Sequence, residues 1–293
     1  MNQKRLPADS ISGAPAGEVA KQDIDAVKSL FSGAHARWWS ELYEGETPSP
    51  EAHFFRQRKD QVLALLAQLV PSGGRVLDMG CGTGPVLAEL RAAGWQCSGL
   101  DAAPDMLAQA RERLAAAGLP DDDLHQGDCR AAPFPDGSFD AVLCMGVISY
   151  IEDYAPILRE IRRLVRPGGI AIVTCRNAAR PVYSDPWWLA ARALGRMIGR
   201  KRAPAPFSPG RLLERAEVRR QLDRSGLVVE REIGIGFGPP RLAGRPLLGD
   251  ATAVRLSDFA ARLASRTGLW PLARRITDIS LWVARPSATQ SHA

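Results

Sequence analysis

The sequence predicts an α/β protein whose mainly parallel sheet is covered on both faces by helices. Three observations carry that expectation. From Arg75 onward, short apolar strands alternate with segments of helical period. The first apolar run ends in a glycine-rich corner, Val76-Leu77-Asp78-Met79-Gly80-Cys81-Gly82-Thr83-Gly84. The second, Cys97 to Leu100, is closed by an acid, Asp101.

Taken in order, residues 1–20 are rich in Ala, Gly, Pro and Ser and read as a disordered lead. Helical stretches follow at Ile24 to Phe31 and His35 to Tyr43, broken by Ser32-Gly33. After the turn Gly45 to Pro50, a longer helix, Glu51 to Val70, carries Phe55, Val62, Leu65, Leu66 and Leu69 on one stripe, with Arg58 among them. Residues 21–70 thus read as an N-terminal helical cap on a domain of residues 71–293. That domain opens with strand Arg75 to Met79, helix Pro85 to Ala93, strand Gln96 to Leu100 and helix Pro104 to Ala117. A short third strand, Asp121 to Gln126, precedes strand Ser138 to Met145, helix Tyr154 to Val165, the turn Arg166-Pro167-Gly168-Gly169 and strand Gly169 to Cys175. Ser208-Pro209 has the form of a helix start, a capping side chain followed by a residue that needs no N–H. That helix runs to Ser225-Gly226, followed by strand Leu227 to Phe237 and a last strand, Thr277 to Ala284. Two inserts, 177–207 and 238–275, are left over.

The 293 residues, 45% hydrophobic and 24% charged, suit one ordinary globular core. No apolar run approaches the ~18 residues that span a bilayer, and the opening Met1-Asn2-Gln3-Lys4-Arg5-Leu6-Pro7 has no secretory apolar segment, so a cytoplasmic address is expected. The five cysteines are scattered without a C-x-x-C pair, which argues against a disulfide framework and against a metal site. Charge is uneven: residues 1–175 carry 17 basic and 23 acidic side chains, residues 176–293 carry 21 and 9. The basic half is either a solvated, arginine-rich surface or a face that meets something anionic.

A glycine corner between strand and helix serves an ordinary tight turn as well as a nucleotide site. The dinucleotide pattern G-x-G-x-x-G wants its third glycine at position 85, where this chain has Pro85. A proline there removes an N–H from the helix start that would cradle a pyrophosphate. With Asp78 before the glycines and Asp101 after the second strand, the stretch resembles motif I and the ribose-binding acid of the class I S-adenosylmethionine (SAM) methyltransferases, over about residues 50–235. The resemblance implies a Rossmann-like, doubly wound sheet of seven strands, the last antiparallel, with SAM as cofactor and the inserts as helical lids. It assigns Asp101 to the ribose hydroxyls, although an aspartate there also caps the next helix. Ala102 and Met106 fall beside the adenine ring, and Asp128 and Cys129 at its edge, Asp128 being equally suited to a plain turn. Asp78, the backbone of Gly80 and Gly82 and the carbonyl of Met145 fall at the amino-acid end. Arg58, on a core-facing stripe, is the candidate counter-charge for the donor carboxylate, or else a stem lying on apolar surface with its head in water. Tyr43 stands beside it as a hydroxyl donor or lid.

Methyl transfer from a sulfonium expels a neutral leaving group, so alignment in a dry pocket matters more than reactive side chains. Ser149 and Tyr150 follow the fourth strand where relatives carry a polar group near the methyl, Tyr150 serving alternatively as packing. His35 and His53 lie in the cap helices. No general base is claimed among them. Two amphipathic segments mark the inserts. In the first, Trp187, Ala190, Leu194 and Met197 form an apolar stripe beside Arg192, Arg196 and Arg200; in the second, Leu256, Phe259, Ala260 and Leu263 oppose Arg255, Arg262 and Arg266. Packing of each apolar stripe onto the domain is favoured over peripheral membrane contact. The reading is therefore a SAM-dependent methyltransferase for a small organic acceptor, apolar or lipid-like, with no nucleic-acid partner expected. Two alternatives stay open. One is a nucleic-acid methyltransferase, against which stand a missing N/D-P-P-Y/F tetrad and the absence of aromatic platforms. The other is a non-catalytic SAM-binding module that docks on a membrane or partner.

Overall fold

The computed structural model describes residues 24–44, 49–179, 210–239, 241–242 and 245–287. The predicted lead, the amphipathic helix of the first insert and the Ser208-Pro209 helix start lie outside these residues.

Three helices come first: α1 (residues 24–30), α2 (Ala34–Glu44) and α3 (Pro50–Leu69). Ser49 caps α3 by accepting from the Ala52 N–H, with Pro50 in the first turn where no donor is needed. The predicted stripe of α3 is its buried face: Val62, Leu65 and Leu66 join the core under the sheet, and Arg58 is buried with them.

The alternation after α3 builds β1 (Arg75–Met79), α4 (Pro85–Ala92), β2 (Gln96–Asp101), α5 (Pro104–Ala116), β3 (Leu124–Gln126) and β4 (Phe139–Met145). Then come α6 (Ala155–Leu164), β5 (Val165–Arg176), α7 (Arg215–Arg224) and β6 (Leu227–Ile235). Short strands β7 (Arg241–Leu242) and β8 (Arg245–Pro246) pair with each other, and α8 (Asp250–Arg266), α9 (Trp270–Ala273) and β9 (Ile279–Pro286) close the described chain. The main sheet has seven strands in the order β3-β2-β1-β4-β5-β9-β6. β1 to β5 pair in parallel, while β9 runs antiparallel between β5 and β6. The predicted doubly wound sheet with an antiparallel last strand is thus the observed one.

Two separate apolar clusters cover its faces. One gathers Phe139, Ile148, Ile157, Ile161 and Trp282, the other Val62, Leu66, Leu87, Leu107 and Leu143. Gly99 in β2 is where a side chain cannot stand: a Cβ would come within 2.6 Å of Leu87 and 2.7 Å of Leu124. The glycine lets α4 lie directly on the sheet.

Some boundaries differ from expectation, each for a local reason. The turn Arg166-Pro167-Gly168-Gly169 does not precede β5 but bulges within it, because Phe139 pairs with Val165 and Ala141 with Ile170. Helix α7 begins at Arg215, since Leu213 bridges Asn177 and Glu214, in extended conformation, precedes the first turn. The third strand is shortened to Leu124–Gln126.

The ends of β5 and β9 are locked by Asn177, which is fully buried. Its Nδ2 donates to the carbonyls of Arg275 (2.9 Å) and Thr277 (3.0 Å), and its Oδ1 accepts from the Ala179 N–H (3.0 Å). Truncation would strip the Thr277 carbonyl of a buried partner and the Arg275 carbonyl and Ala179 N–H of half-buried ones. Asn177→Ala is therefore expected to cost ~2–3 kcal/mol, at roughly 1 kcal/mol per bond lost. The check is urea denaturation: a lowered midpoint with an unchanged slope.

Candidate functional site

A sheet that runs β1-β2-β3 to one side and β4-β5 to the other has its switch point between β1 and β4, where the two connections part and leave a crevice at the carboxyl ends of the strands. A cavity opens there. Its floor is the glycine turn after β1, its sides are Asp101, Met106 and Cys129, and its roof is built from Ile24, Val27, Phe31, Trp39 and Tyr43 of the N-terminal helices. The roof is fastened at two points on α5. The Gly33 N–H donates to Asp105 (2.6 Å), and Arg113 donates to the Ser40 hydroxyl and to the Thr83 carbonyl (2.8 Å each).

The corner itself follows from its glycines. Gly80, Gly82 and Gly84 all take positive φ, at 74°, 55° and 72°. A Cβ on Gly80 would lie 2.2 Å from the Val147 Cγ2, so the glycine lets the side chain that follows β4 pack against the turn after β1. Gly80 and Cys81 donate to the Leu100 carbonyl (2.7 and 3.1 Å), which holds the turn against the end of β2.

Asp101 is pinned from the same direction. Its two carboxylate oxygens accept from the Gly82 N–H and the Ala103 N–H, each at 2.9 Å. Burial pushes its carboxyl up, and those backbone donors pull it back. The capping role and a ligand role coexist here, because each oxygen retains a lone pair facing the cavity that it lines.

Asp78 has no such help. It is fully buried on the central strand, and neither carboxylate oxygen has a hydrogen-bond partner among the described residues. Burial pushes it up to about 7, opposed by the charge of Arg58 and reinforced by that of Asp101. A ligand cation placed beside it would supply the missing partner.

Arg58 projects from α3 to the same end of the cavity. Its guanidinium lies 4.7 Å from the Phe55 ring centroid, donates to the Tyr43 hydroxyl, and stands over Gly146, where a Cβ would sit 3.1 Å from Nη1. The head is inside the protein, so the expectation of a snorkelling stem is corrected.

The remaining expectations divide. Ala102, Met106, Cys129 and Met145 all line the cavity. So does Asp128, but its carboxylate is already gripped by Arg130, two residues away, at 2.6 to 3.1 Å. Ser149 and Tyr150 line it as well: the Ser149 hydroxyl is buried without a partner, and the Tyr150 ring meets Phe31 edge-on at 4.9 Å. His53 does not belong to the cavity. Its Nε2 is 2.9 Å from Asp258 of α8, and that nonlocal pairing takes it to the outer side of α3. The His35 side chain lies outside the described residues.

Sequence reasoning missed the contributions of Val147, Cys175, Arg176 and Ile279, which reach the cavity from the ends of β4, β5 and β9. Arg176 approaches Asp278 at 3.6 Å. The signal was available for Arg176, a charge at the end of an apolar strand. Cys81, Cys129 and Cys175 also line the cavity, and burial raises all three thiols well above the ordinary range, so they contribute apolar wall rather than thiolate.

Comparison with known proteins agrees with this geometry. A methyltransferase-domain family model matches residues 77–173. The ubiquinone biosynthesis O-methyltransferase of Xanthomonas axonopodis pv. citri (strain 306) is 28% identical over 232 residues, 79% of this chain and 92% of that protein. The protein of the same name from Xanthomonas oryzae pv. oryzae (strain PXO99A) is 30% identical over 185 residues, 63% of this chain and 70% of the relative. Among solved structures, magnesium protoporphyrin IX methyltransferase from Synechocystis PCC 6803 with bound SAH superposes with a TM-score of 0.59 at 18% identity, covering 90% of this chain and 100% of that one, and so shares the fold. The chain belongs to the class I SAM-dependent methyltransferases, an enzyme family whose cofactor is SAM.

Proposed function

We propose that the enzyme transfers a methyl group from SAM to a hydroxyl oxygen of a small, apolar organic acceptor. The observation that carries the donor half is a pair of carboxylates at the switch point of the sheet: Asp101, which lines the cavity, and Asp78, which does not line it but lies buried and unpartnered two residues before Gly80 of its floor. The acceptor half is supported by relatives whose names specify O-methyl transfer, and by the apolar wall formed by Val27, Phe31, Ile151 and Ile157.

In this reading each charged group of the site has a task. Asp78 balances the ammonium of the donor, and Arg58 with Tyr43 holds its carboxylate. Asp101 accepts from both ribose hydroxyls with the lone pairs left free by Gly82 and Ala103. Ala102 and Met106 flank the adenine; Asp128, already neutralised by Arg130, and Cys129 sit at its edge. Gly80 and Gly82 let the backbone approach, and the Met145 carbonyl contributes at the strand end. Bound SAM supplies an electrophilic methyl on a sulfonium. The chain supplies alignment: the roof of Phe31, Trp39 and Tyr43 excludes water, and the orphaned Ser149 hydroxyl is placed to orient the acceptor oxygen. Tyr150, packed on Phe31, shapes the same wall.

Three measurements follow. Titration calorimetry is expected to show SAM binding to the wild-type enzyme, weakened about 100-fold or more in Asp101→Ala, since two hydrogen bonds to a charged group at ~1.5 kcal/mol or more each are lost. Unchanged binding would remove Asp101 from the site. Incubation with isotope-labelled SAM and cell extract, followed by mass spectrometry, should yield a labelled methyl ether; a label found only on nitrogen or carbon would overturn the O-transfer reading. The third measurement concerns pH. Because the folded-state carboxyl of Asp78 is held at about 7 against an ordinary 3.8, the unfolded chain ionises first as pH rises. Ligand-free stability is then lost between about pH 4 and 7 and is level above, by up to ~4 kcal/mol at 1.36 kcal/mol per unit. Asp78→Asn should therefore match the wild type near pH 4 and exceed it at pH 8 in urea denaturation, while binding SAM less well.

A further inference from the structure

Helix α8 packs on the body of the protein with its small residues. Ala253, Ser257 and Ala264 are buried, Asp258 accepts from Gln57 (3.0 Å) and pairs with His53 (2.9 Å) on α3, and the Ser257 hydroxyl accepts from the Phe237 N–H (2.9 Å). This reverses the expectation that the large apolar stripe faces inward. Leu256, Phe259 and Leu263 stand outward, and Leu247, Leu269, Leu272 and Ile276 on either side of them are exposed too, all between 46 and 59%. These are seven of the nine large apolar side chains exposed among the described residues, and they fall within thirty consecutive positions. That concentration exceeds the scatter of single apolar residues normal for a surface.

The stripe has a charged edge. Arg255, Arg262 and Arg266 are exposed at spacings of seven and four, which brings them onto one side of the helix, next to Leu256, Phe259 and Leu263 and not, as expected from the sequence, opposite them. None of them pairs with an acidic side chain among the described residues. We infer that α8 and α9 form a docking surface for an anionic lipid bilayer, the leucines and Phe259 entering the headgroup boundary while the arginines engage lipid phosphates. A helix with an apolar face flanked by long cationic side chains suits that boundary, because the stems run along the apolar surface and the heads reach the phosphates. A second copy of the chain is the competing occupant, and the test below separates it from the bilayer. Among the described residues no helix is long and apolar enough to cross a membrane, so the contact is peripheral. Because α8 is clamped to α3, the helix that sends Phe55 and Arg58 into the cavity wall, docking sets the cavity close to the lipid surface.

The test is vesicle flotation of the full chain. Phosphatidylcholine vesicles containing phosphatidylglycerol should carry the protein, pure phosphatidylcholine vesicles much less, with binding falling as salt rises. A triple Arg255→Glu, Arg262→Glu, Arg266→Glu variant should lose about 100-fold in partitioning, at roughly fivefold per arginine. Phe259→Ser with Leu263→Ser should also release the protein, while circular dichroism and SAM binding stay as in the wild type. Equal flotation of variants and wild type, no flotation on anionic vesicles, or a concentration-dependent dimer that these serine substitutions disperse would each overturn the inference, the last by assigning the surface to self-association.

Discussion

A carboxylate buried on the central strand of a sheet, with neither oxygen hydrogen-bonded, is the constraint around which this molecule is arranged. Asp78 stands at that position, between Gly99 of β2 and Leu143 of β4, and an aliphatic residue there would fold more easily. The surrounding chain reduces the cost without removing it. Arg58 brings a positive charge from α3, but its Nε is also buried without a partner, and its head turns to Tyr43 and Phe55. Both groups are left unsaturated by the protein, the state expected of a site that completes itself with a zwitterionic ligand.

The fold converts that local imbalance into a binding site through backbone proximity. Three alternate glycines of left-handed conformation, Gly80, Gly82 and Gly84, fold the chain back after β1. The Leu100 carbonyl anchors the turn, and Asp101 captures the Gly82 N–H, so the two acids are fixed relative to each other by main-chain geometry rather than by flexible side chains. The N-terminal helices then close the space from above, tied to α5 through Asp105 and Arg113. The neighbouring joint of β5 and β9 is built differently: Asn177, one residue past the cavity-lining Arg176, has both ends of its side-chain amide hydrogen-bonded, whereas the Asp78 carboxylate has no such partner among the described residues.

The strand order, the glycine corner and the pair Asp78 and Asp101 were legible because each rests on local patterns: apolar runs of strand length, glycines where φ must be positive, and an acid at a strand end. What could not be read depends on contacts distant in sequence. His53 and Asp258 are 205 positions apart, and only the packing of α8 on α3 takes that histidine away from the cavity. The amphipathic period of α8 was plain, but periodicity does not say which face goes inward; the close approach of α3 selected Ala253, Ser257 and Ala264. The engagement of Asp128 by Arg130 spans two residues and was readable, yet it was overlooked in favour of the ligand role. The contributions of Cys175, Arg176 and Ile279 arise from how far β5 and β9 extend past β1, a matter of register rather than composition.

The central claim is that Asp78, its carboxyl pushed up to about 7 by burial, is largely protonated below that pH and ionises when a cationic ligand group arrives. Proton linkage measures this directly: calorimetric titration of SAM at about pH 6 in buffers of different ionisation enthalpy. The account predicts release of close to one proton per ligand bound at about pH 6, falling to about half near pH 7 and nearly gone by about pH 8, and loss of that release in Asp78→Asn. Binding at about pH 6 with no proton released by the wild type would contradict it.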